Sequence, residues 1–177
     1  TDWTTNVPDT LSGSPILPTI KYQPELVSQL DFLQMLGGHM NGSLGEIGSL
    51  ALILGGLYLI CRRVISWHIP VAVLGTMAIF AACVGATYGG AMIYEFPLFH
   101  ILAGGALLGA IFMATDYSTS PMTHKGMIIF GVGIGIITMI IRLWGSYPEG
   151  MSFAIFIMNA ATPLINKYCR PKRFGTK

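Results

Sequence analysis

The sequence predicts an all-α, polytopic membrane protein with about five transmembrane helices. Hydrophobic residues make up 53% of the 177 residues and charged residues only 10%, against about one quarter of charged residues in a usual soluble domain. The charges lie at the edges of apolar runs, and a run of roughly 20 apolar residues is what crosses about 30 Å of hydrocarbon. Helices are expected because open sheet or irregular backbone facing lipid would leave polar groups unpaired.

The chain divides into three predicted regions. Residues 1–43 are polar and form a loop, in which a short amphipathic helix over 24–36 lies at the membrane interface. Residues 44–166 form the five-helix transmembrane region, and 167–177 form a basic tail. A long helix in the first region is excluded by its prolines, which are Pro8, Pro15, Pro18 and Pro24.

Five apolar runs set the predicted spans. Arg62 and Arg63 end the first, and Pro70 lies in the first turn of the second, where proline is tolerated. The last run is short, so Pro163 and Asn166 are expected to end it at the interface. The spans are predicted at Gly45–Cys61, Ile69–Tyr88, Leu98–Ala114, Gly126–Trp144 and Met151–Ile165. An odd number of spans after a polar loop favours the second half of a larger protein.

The basic residues predict the orientation. If the loop at Arg62 and Arg63 is cytoplasmic, alternation places the 116–125 loop and the C-terminal tail on the same side. That side then holds eight of the ten Lys and Arg residues, and the other side keeps Lys21 and Arg142. This is the positive-inside bias, so residues 1–43 are predicted to be extracytoplasmic. The tail is expected to set topology and touch anionic lipid rather than nucleic acid.

The sequence gives no case for a metal or iron–sulfur site. The three cysteines, Cys61, Cys83 and Cys169, have no CxxC or Cys/His ligand spacing. The four histidines do not cluster either and are expected to be packing or interfacial residues; they are His39, His68, His100 and His124.

Small residues recur in the fourth span. Gly131, Gly133 and Gly135 form a face that lets helix backbones approach closely. Two interpretations stay open, ordinary helix packing or room for a flat ring system between helices.

Three acidic residues lie at the ends of predicted spans. Glu46 enters span 1, where an acidic group at membrane depth is a functional candidate and also a favourable partner for the helix dipole. Asp116 follows span 3; with Thr115, Thr119 and Ser120 it offers oxygens for Na⁺ or a flavin, or forms a plain turn. Glu149 is expected to cap span 5 or to pair with Arg142.

Several motifs together resemble a known family. They are Gly42-Ser43-Leu44-Gly45-Glu46, Ser66-Trp67-His68-Ile69-Pro70, the run from Phe112 to Pro121, Ile141-Arg142, Tyr147-Pro148-Glu149-Gly150, Met158-Asn159 and Pro163-Leu164. In this order they resemble the C-terminal half of the D subunits of Rnf electron transport complexes, and more distantly the B subunits of Na⁺-translocating NADH:quinone oxidoreductases.

The resemblance implies covalent FMN, which the family carries as a phosphoester on a threonine in a Ser-Gly-Ala-Thr loop. The matching positions here are Ser12, Gly13, Ser14 and Pro15, and Pro15 has no hydroxyl. Three explanations compete: a flavin-bearing threonine between Ser14 and Pro15 is omitted from the written sequence, Ser14 carries the ester, or the site has been lost. The first is favoured, and Thr10 is a weak alternative.

The resemblance also implies a function. The chain would be a membrane subunit of a ferredoxin:NAD⁺ oxidoreductase that moves Na⁺ or H⁺, in a bacterial or archaeal cytoplasmic membrane. Its partners would be the FMN-bearing G subunit and iron–sulfur subunits, and a second, non-covalent flavin would be compatible with this function. Glu46 and Asp116 are the candidates for ion coupling. The rivals are a cofactor-free secondary ion transporter and a structural membrane anchor of a redox complex.

Overall fold

Every regular element that we describe is helical, which confirms the all-α prediction. The computed structural model describes residue 36 and residues 48–88, 90, 92–147 and 149–169. Within these ranges the helices are α1 (Ser49–Cys61), α2 (His68–Tyr88), α3 (Met92–Leu102), α4 (Ala106–Leu108), α5 (His124–Trp144) and α6 (Met151–Tyr168). A π-helical turn, Gly109–Met113, continues α4.

Two long helices form the centre of the fold. α2 and α5 each have 21 residues and are long and apolar enough to cross a membrane. They begin within two residues of the predicted starts, and Pro70 lies in the first turn of α2 as expected. At the start of α5, the Thr123 hydroxyl accepts a hydrogen bond from the Gly126 N–H at 3.1 Å, which is a side-chain N-cap.

The glycines of α5 are packing positions. A Cβ atom added at Gly131 would lie 2.6 Å from the Ala72 Cβ, and one at Gly135 would lie 2.8 Å from the Thr76 Cβ, both in α2. On another face, Gly133 packs against Met158 of α6. The packing interpretation is therefore confirmed for these three glycines, because side chains fill the space that a flat ring would need.

The third predicted span is wrong as a straight helix over 98–114. α3 begins at Met92, ends at Leu102, and is followed after a break by α4 and the π-helical turn. The two parts differ in direction by 67°. Gly104 lies in the break with a φ of +68°, a conformation that glycine adopts without a steric penalty. The bent pair counts as one span at most.

The fifth predicted span also ends later than expected. α6 continues through Pro163 and Asn166 to Tyr168. Its buried face includes Ile155 before the proline and Ile165 after it. This packing on both sides outweighs the single backbone hydrogen bond that proline removes.

The number of membrane spans is smaller in the described part than the five predicted. Besides α2 and α5, the bent α3–α4 pair is the third candidate. The described portion of α1 is apolar but has only 13 residues. An all-helical, multi-pass membrane protein is nonetheless the architecture that these helices support.

Several loops meet at one end of the helices, which we call the basic end. It is defined by Arg62, Arg63, Lys125 and Lys167. The rings of His68 and His124 stack there at 4.5 Å between centroids. The N–H of Met122 donates to Asn166 Oδ1 at 3.3 Å, which ties the loop before α5 to the end of α6.

Candidate functional site: a helix break held by a buried ion pair

Arg142 of α5 binds the end of α3. Its Nη1 donates to the carbonyl of His100 at 2.6 Å, and its Nη2 donates to the carbonyl of Ala103 at 3.2 Å. The last carbonyls of a helix have no partners within the helix and carry the negative end of its dipole. The buried guanidinium therefore caps the C-terminal end of α3.

Glu149 binds the start of the next helical segment. One carboxylate oxygen, Oε2, accepts the N–H of Gly105 at 3.1 Å, just before α4. The other, Oε1, lies 2.9 Å from Arg142 Nη2 and accepts the N–H of Met151 at 3.4 Å, at the start of α6. A carboxylate at a helix N-terminus is favourable. Both expectations for Glu149, pairing with Arg142 and capping the last helix, are confirmed.

The two charges bridge the two ends of the break. The Arg142 side chain is fully buried and that of Glu149 is 31% exposed. Removing one partner would leave the other as an unpaired charge in a poorly solvated place, which is strongly destabilising. The pair thus makes the break a fixed feature of the fold.

His100 lies beside this pair and packs as an aromatic ring. It is 5% exposed, and its ring makes edge contacts with Phe96 and Phe99 at 4.6 and 5.2 Å between centroids. Neither ring nitrogen has a hydrogen-bond partner among the described residues. The expectation of a packing histidine is confirmed here.

Asp116 lies in an exposed turn after the π-helical segment. Its Oδ2 accepts hydrogen bonds from the Ser118 hydroxyl at 2.7 Å and the Thr119 hydroxyl at 3.4 Å. The bond from Ser118, more than that from Thr119, holds the pKa of the Asp116 carboxyl below its usual 3.8. The turn interpretation is confirmed, and a role in binding a cation or a flavin stays a prediction.

The neighbouring hydroxyls divide into two groups. Thr115 donates to the Ile111 carbonyl at 2.6 Å, four residues earlier in the chain. Thr115 and Ser120 both line a cleft at the basic end, whereas Asp116 and Thr119 do not. In the part of the chain that the structure describes, no group of three or more His, Cys, Asp or Glu side chains could hold a metal ion.

The remaining predicted site residues lie outside the described ranges. They are Glu46 and the loop residues Ser12, Gly13, Ser14 and Pro15. Conversely, the contacts of Arg142 with the break were not predicted. The one signal in the sequence was an arginine near the end of an apolar run, which is costly unless the side chain has a partner.

Comparison with known proteins identifies the family. The family model described as NQR2, RnfD, RnfE matches residues 1–175. The chain belongs to this family. The resemblance seen in the sequence motifs is thereby confirmed.

The curated relatives are D subunits of ion-translocating complexes. The chain is 51% identical over 148 residues, 84% of its length, to the D subunit of the Na⁺-translocating ferredoxin:NAD⁺ oxidoreductase complex of Acetobacterium woodii. It is 50% identical over 143 residues, 81% of its length, to the D subunit of the proton-translocating ferredoxin:NAD⁺ oxidoreductase complex of Clostridium ljungdahlii. It is 41% identical to the D subunit of the ion-translocating oxidoreductase complex of Stutzerimonas stutzeri, in an alignment of 177 residues that covers 94% of the chain. The chain spans about half the length of these relatives, from 43 to 49%.

Proposed function

We propose that this chain is part of the D subunit of a membrane oxidoreductase that couples electron transfer from ferredoxin to NAD⁺ with movement of Na⁺ or H⁺. The functions for which its relatives are named support this proposal. The structural observation that carries it is the broken α3–α4 helix, with the buried pair of Arg142 and Glu149 holding the break.

The broken helix favours a transport role over that of a structural anchor. Irregular backbone at membrane depth is tolerated where it is buried in protein or lines a cavity. Discontinuous helices with compensating charges at their ends are typical of proteins that move ions or solutes. An anchor needs only continuous apolar helices.

Either ion is compatible with the chain's own residues. The two relatives of nearly equal identity are named for different ions, Na⁺ and H⁺. We propose Glu46 and Asp116 as coupling residues. Two observations on Asp116 support this proposal: its side chain is exposed, and its hydrogen bonds favour the charged carboxylate.

We further propose that FMN is bound covalently in the Ser12–Pro15 loop. A sequence of small residues that carries a hydroxyl suits delivery of the flavin phosphate by a transferase. When bound, FMN supplies one- and two-electron transfer, and the protein sets its position and potential. At Thr115 and Asp116 a flavin would have to displace the internal hydrogen bonds described above, so residues 115–120 support FMN binding less than the loop does.

The proposed partners and orientation follow from the same interpretation. The electron partners would be the FMN-bearing G subunit and iron–sulfur subunits. The basic end would face the cytoplasm of a bacterium or archaeon, and residues 1–43 would lie outside. A cysteine placed in the Ser12–Pro15 loop should then react with an impermeant thiol reagent added to intact cells.

Mass spectrometry tests the flavin proposal most directly. The full-length protein is made together with its flavin transferase, and the mass of the peptide spanning Ser12–Ile16 is measured. A mass increase equal to FMN, with flavin fluorescence on a denaturing gel, is expected. An unmodified peptide would overturn the covalent flavin and favour the secondary transporter.

Amide variants test the coupling proposal separately. Glu46→Gln and Asp116→Asn are made in the full complex, and ion uptake is measured per electron transferred. A reduced ratio is expected. An unchanged ratio in the double variant would remove both residues from the coupling mechanism while leaving the flavin result intact.

A further inference from the structure

A cleft of about 580 Å³ opens at the basic end. This volume is within the usual range for sites that bind small molecules. Its polar lining comes from the 62–67 loop, from the starts of α2 and α5, and from the turn after the π-helical segment. Its polar lining residues include Arg63, Ser66, His68, Thr115, Ser120 and His124.

The cleft favours an anion. Among the lining residues that the structure describes, Arg63 is the one Lys, Arg, Asp or Glu side chain, so none of them is acidic. The nearest carboxylate in sequence, Asp116, is engaged by the hydroxyls of its own turn. A guanidinium with a hydroxyl donor nearby is a common arrangement for binding phosphate oxygens. The Thr115 hydroxyl donates to the Ile111 carbonyl and that of Ser66 to Met127 Sδ at 3.3 Å, so Ser120 is the serine or threonine of the described lining whose hydroxyl is left to donate.

The histidines add hydrogen-bonding groups to the same wall. His68 is stacked between Trp67 and His124, with centroid distances of 4.4 and 4.5 Å. The Nδ1 atom of His68 is buried and has no hydrogen-bond partner among the described residues. Because this atom is buried, it does not reach a ligand in the open cleft. The stack nevertheless holds two imidazole rings in the wall that Arg63 also lines.

The position of the cleft selects a lipid over a soluble anion. It lies at the ends of α2 and α5, the two helices that can cross a membrane. Two large apolar side chains are exposed close to Arg63 in the chain, Val64 at 68% and Trp67 at 55%. The side chains of Ile60 and Ile65 add an apolar part to the lining of the cleft. A basic pocket between membrane helices at the surface is suited to the head group of an anionic lipid.

We propose that this cleft binds the phosphate group of an anionic phospholipid, with Arg63 as the main contact. Ser120 and the two histidines would supply further hydrogen bonds, and Val64 and Trp67 would lie against the glycerol and upper acyl chain. The inference needs only the membrane location, so its failure would leave the proposed redox function untouched.

Lipid retention in the full complex tests the proposal, with a neighbouring arginine as matched control. The complex is exchanged into detergent containing phosphatidylglycerol, and bound lipid is counted by native mass spectrometry. Arg63→Gln should lower retention at least five-fold. Arg62→Gln removes the same charge from the adjacent, exposed residue outside the lining, and it should stay within two-fold of the wild type. Equal losses in both variants would overturn the proposal, because diffuse surface charge would then explain binding.

Two further arms keep the proposal testable. His124→Gln should also lower retention, so the test does not depend on whether the Arg63 variant assembles. Phosphatidylcholine should be retained several-fold less than phosphatidylglycerol. Displacement of the lipid by millimolar inorganic phosphate would show a site for free phosphate and would overturn the lipid assignment, whereas retention in its presence supports it.

Discussion

The Nη2 atom of Arg142 lies 2.9 Å from Oε1 of Glu149, and through this contact the end of α3 is joined to the start of α4. Neither residue belongs to the broken helix. The charges that stabilise the break come from α5 and from the residues before α6, and they lie 39 to 44 positions along the chain from the backbone groups of the break that they bind. The local sequence of the break therefore contains only part of the reason for it.

Replacing Glu149 with alanine should destabilise the fold strongly. The change leaves the Arg142 guanidinium buried without its counter-charge, and breaking such a pair costs about 3 kcal/mol. The free energy of unfolding of the full-length protein in detergent measures this. Glu149→Gln keeps an acceptor oxygen and should lose less.

Glu95 of α3 provides the control for this prediction. One of its carboxylate oxygens is buried and has no hydrogen-bond partner in the described part. Glu95→Ala therefore removes a carboxylate whose buried oxygen is unpartnered in the described part, and it should leave stability unchanged or raise it. Equal losses for Glu149→Ala and Glu95→Ala would contradict the role given to the ion pair.

A methyl group at Gly131 should weaken the packing of α5 on α2. The added Cβ would lie 2.6 Å from the Ala72 Cβ and 3.1 Å from the Ile69 carbonyl oxygen. Overpacking of this kind costs about 1–3 kcal/mol. Thermal unfolding of Gly131→Ala should occur at a lower temperature than that of the wild type.

Gly75→Ala is the matched change in α2. A Cβ there meets nothing within 4 Å among the described residues, and alanine favours a helix over glycine by about 1 kcal/mol. This variant should be as stable as the wild type or slightly more stable. If both alanine variants behaved alike, close approach at Gly131 would not be what positions these helices.

Ser118→Ala should raise the pKa of the Asp116 carboxyl toward 3.8. The Ser118 hydroxyl makes the strongest of the hydrogen bonds that lower this pKa. Because the pKa is lowered in the fold, the stabilisation is complete above pH 3.8 and is lost as pH falls through the lowered value. Isotope-edited infrared titration of the carboxylate measures the shift. Ser120→Ala, which removes a hydroxyl not bonded to this carboxylate, should leave the titration unchanged.

Thr123→Ala should loosen the first turn of α5. The Thr123 hydroxyl accepts the Gly126 N–H, and losing such a cap costs about 1 kcal/mol. Hydrogen exchange at the Gly126 amide should become faster. Thr123→Ser keeps the hydroxyl and should restore slow exchange; fast exchange in the serine variant would argue against the cap.

The unbroken spans were predictable because their cause is local. α2 and α5 are long apolar runs bounded by polar or aromatic residues, and a run of that length is stable as a helix in lipid whatever surrounds it. The close packing at Gly131 and Gly135 was likewise anticipated as one of two interpretations, since glycines four residues apart share a helix face.

The break and the cleft were not predictable because their causes are distant. The break depends on Arg142 and Glu149, and the ring stack joins His68 to His124, which belong to different helices. The hydrophobic periodicity of a sequence predicts single helices and does not predict contacts between side chains of different helices. The predicted end of the last helix at Pro163 and Asn166 was wrong for a similar reason. Packing on both sides of the proline outweighs the local tendency of proline to end a helix. Glu46 and the Ser12–Pro15 loop stay predictions from the family motifs.

The paired charges at the break also determine how it responds to an energised membrane. A potential of 100 mV does about 2.3 kcal/mol of work on one elementary charge that crosses the whole bilayer. Arg142 and Glu149 sum to zero, so the voltage exerts no net force on the pair as a unit. The membrane voltage therefore does net work on these charges only when the two side chains separate along the direction of the field.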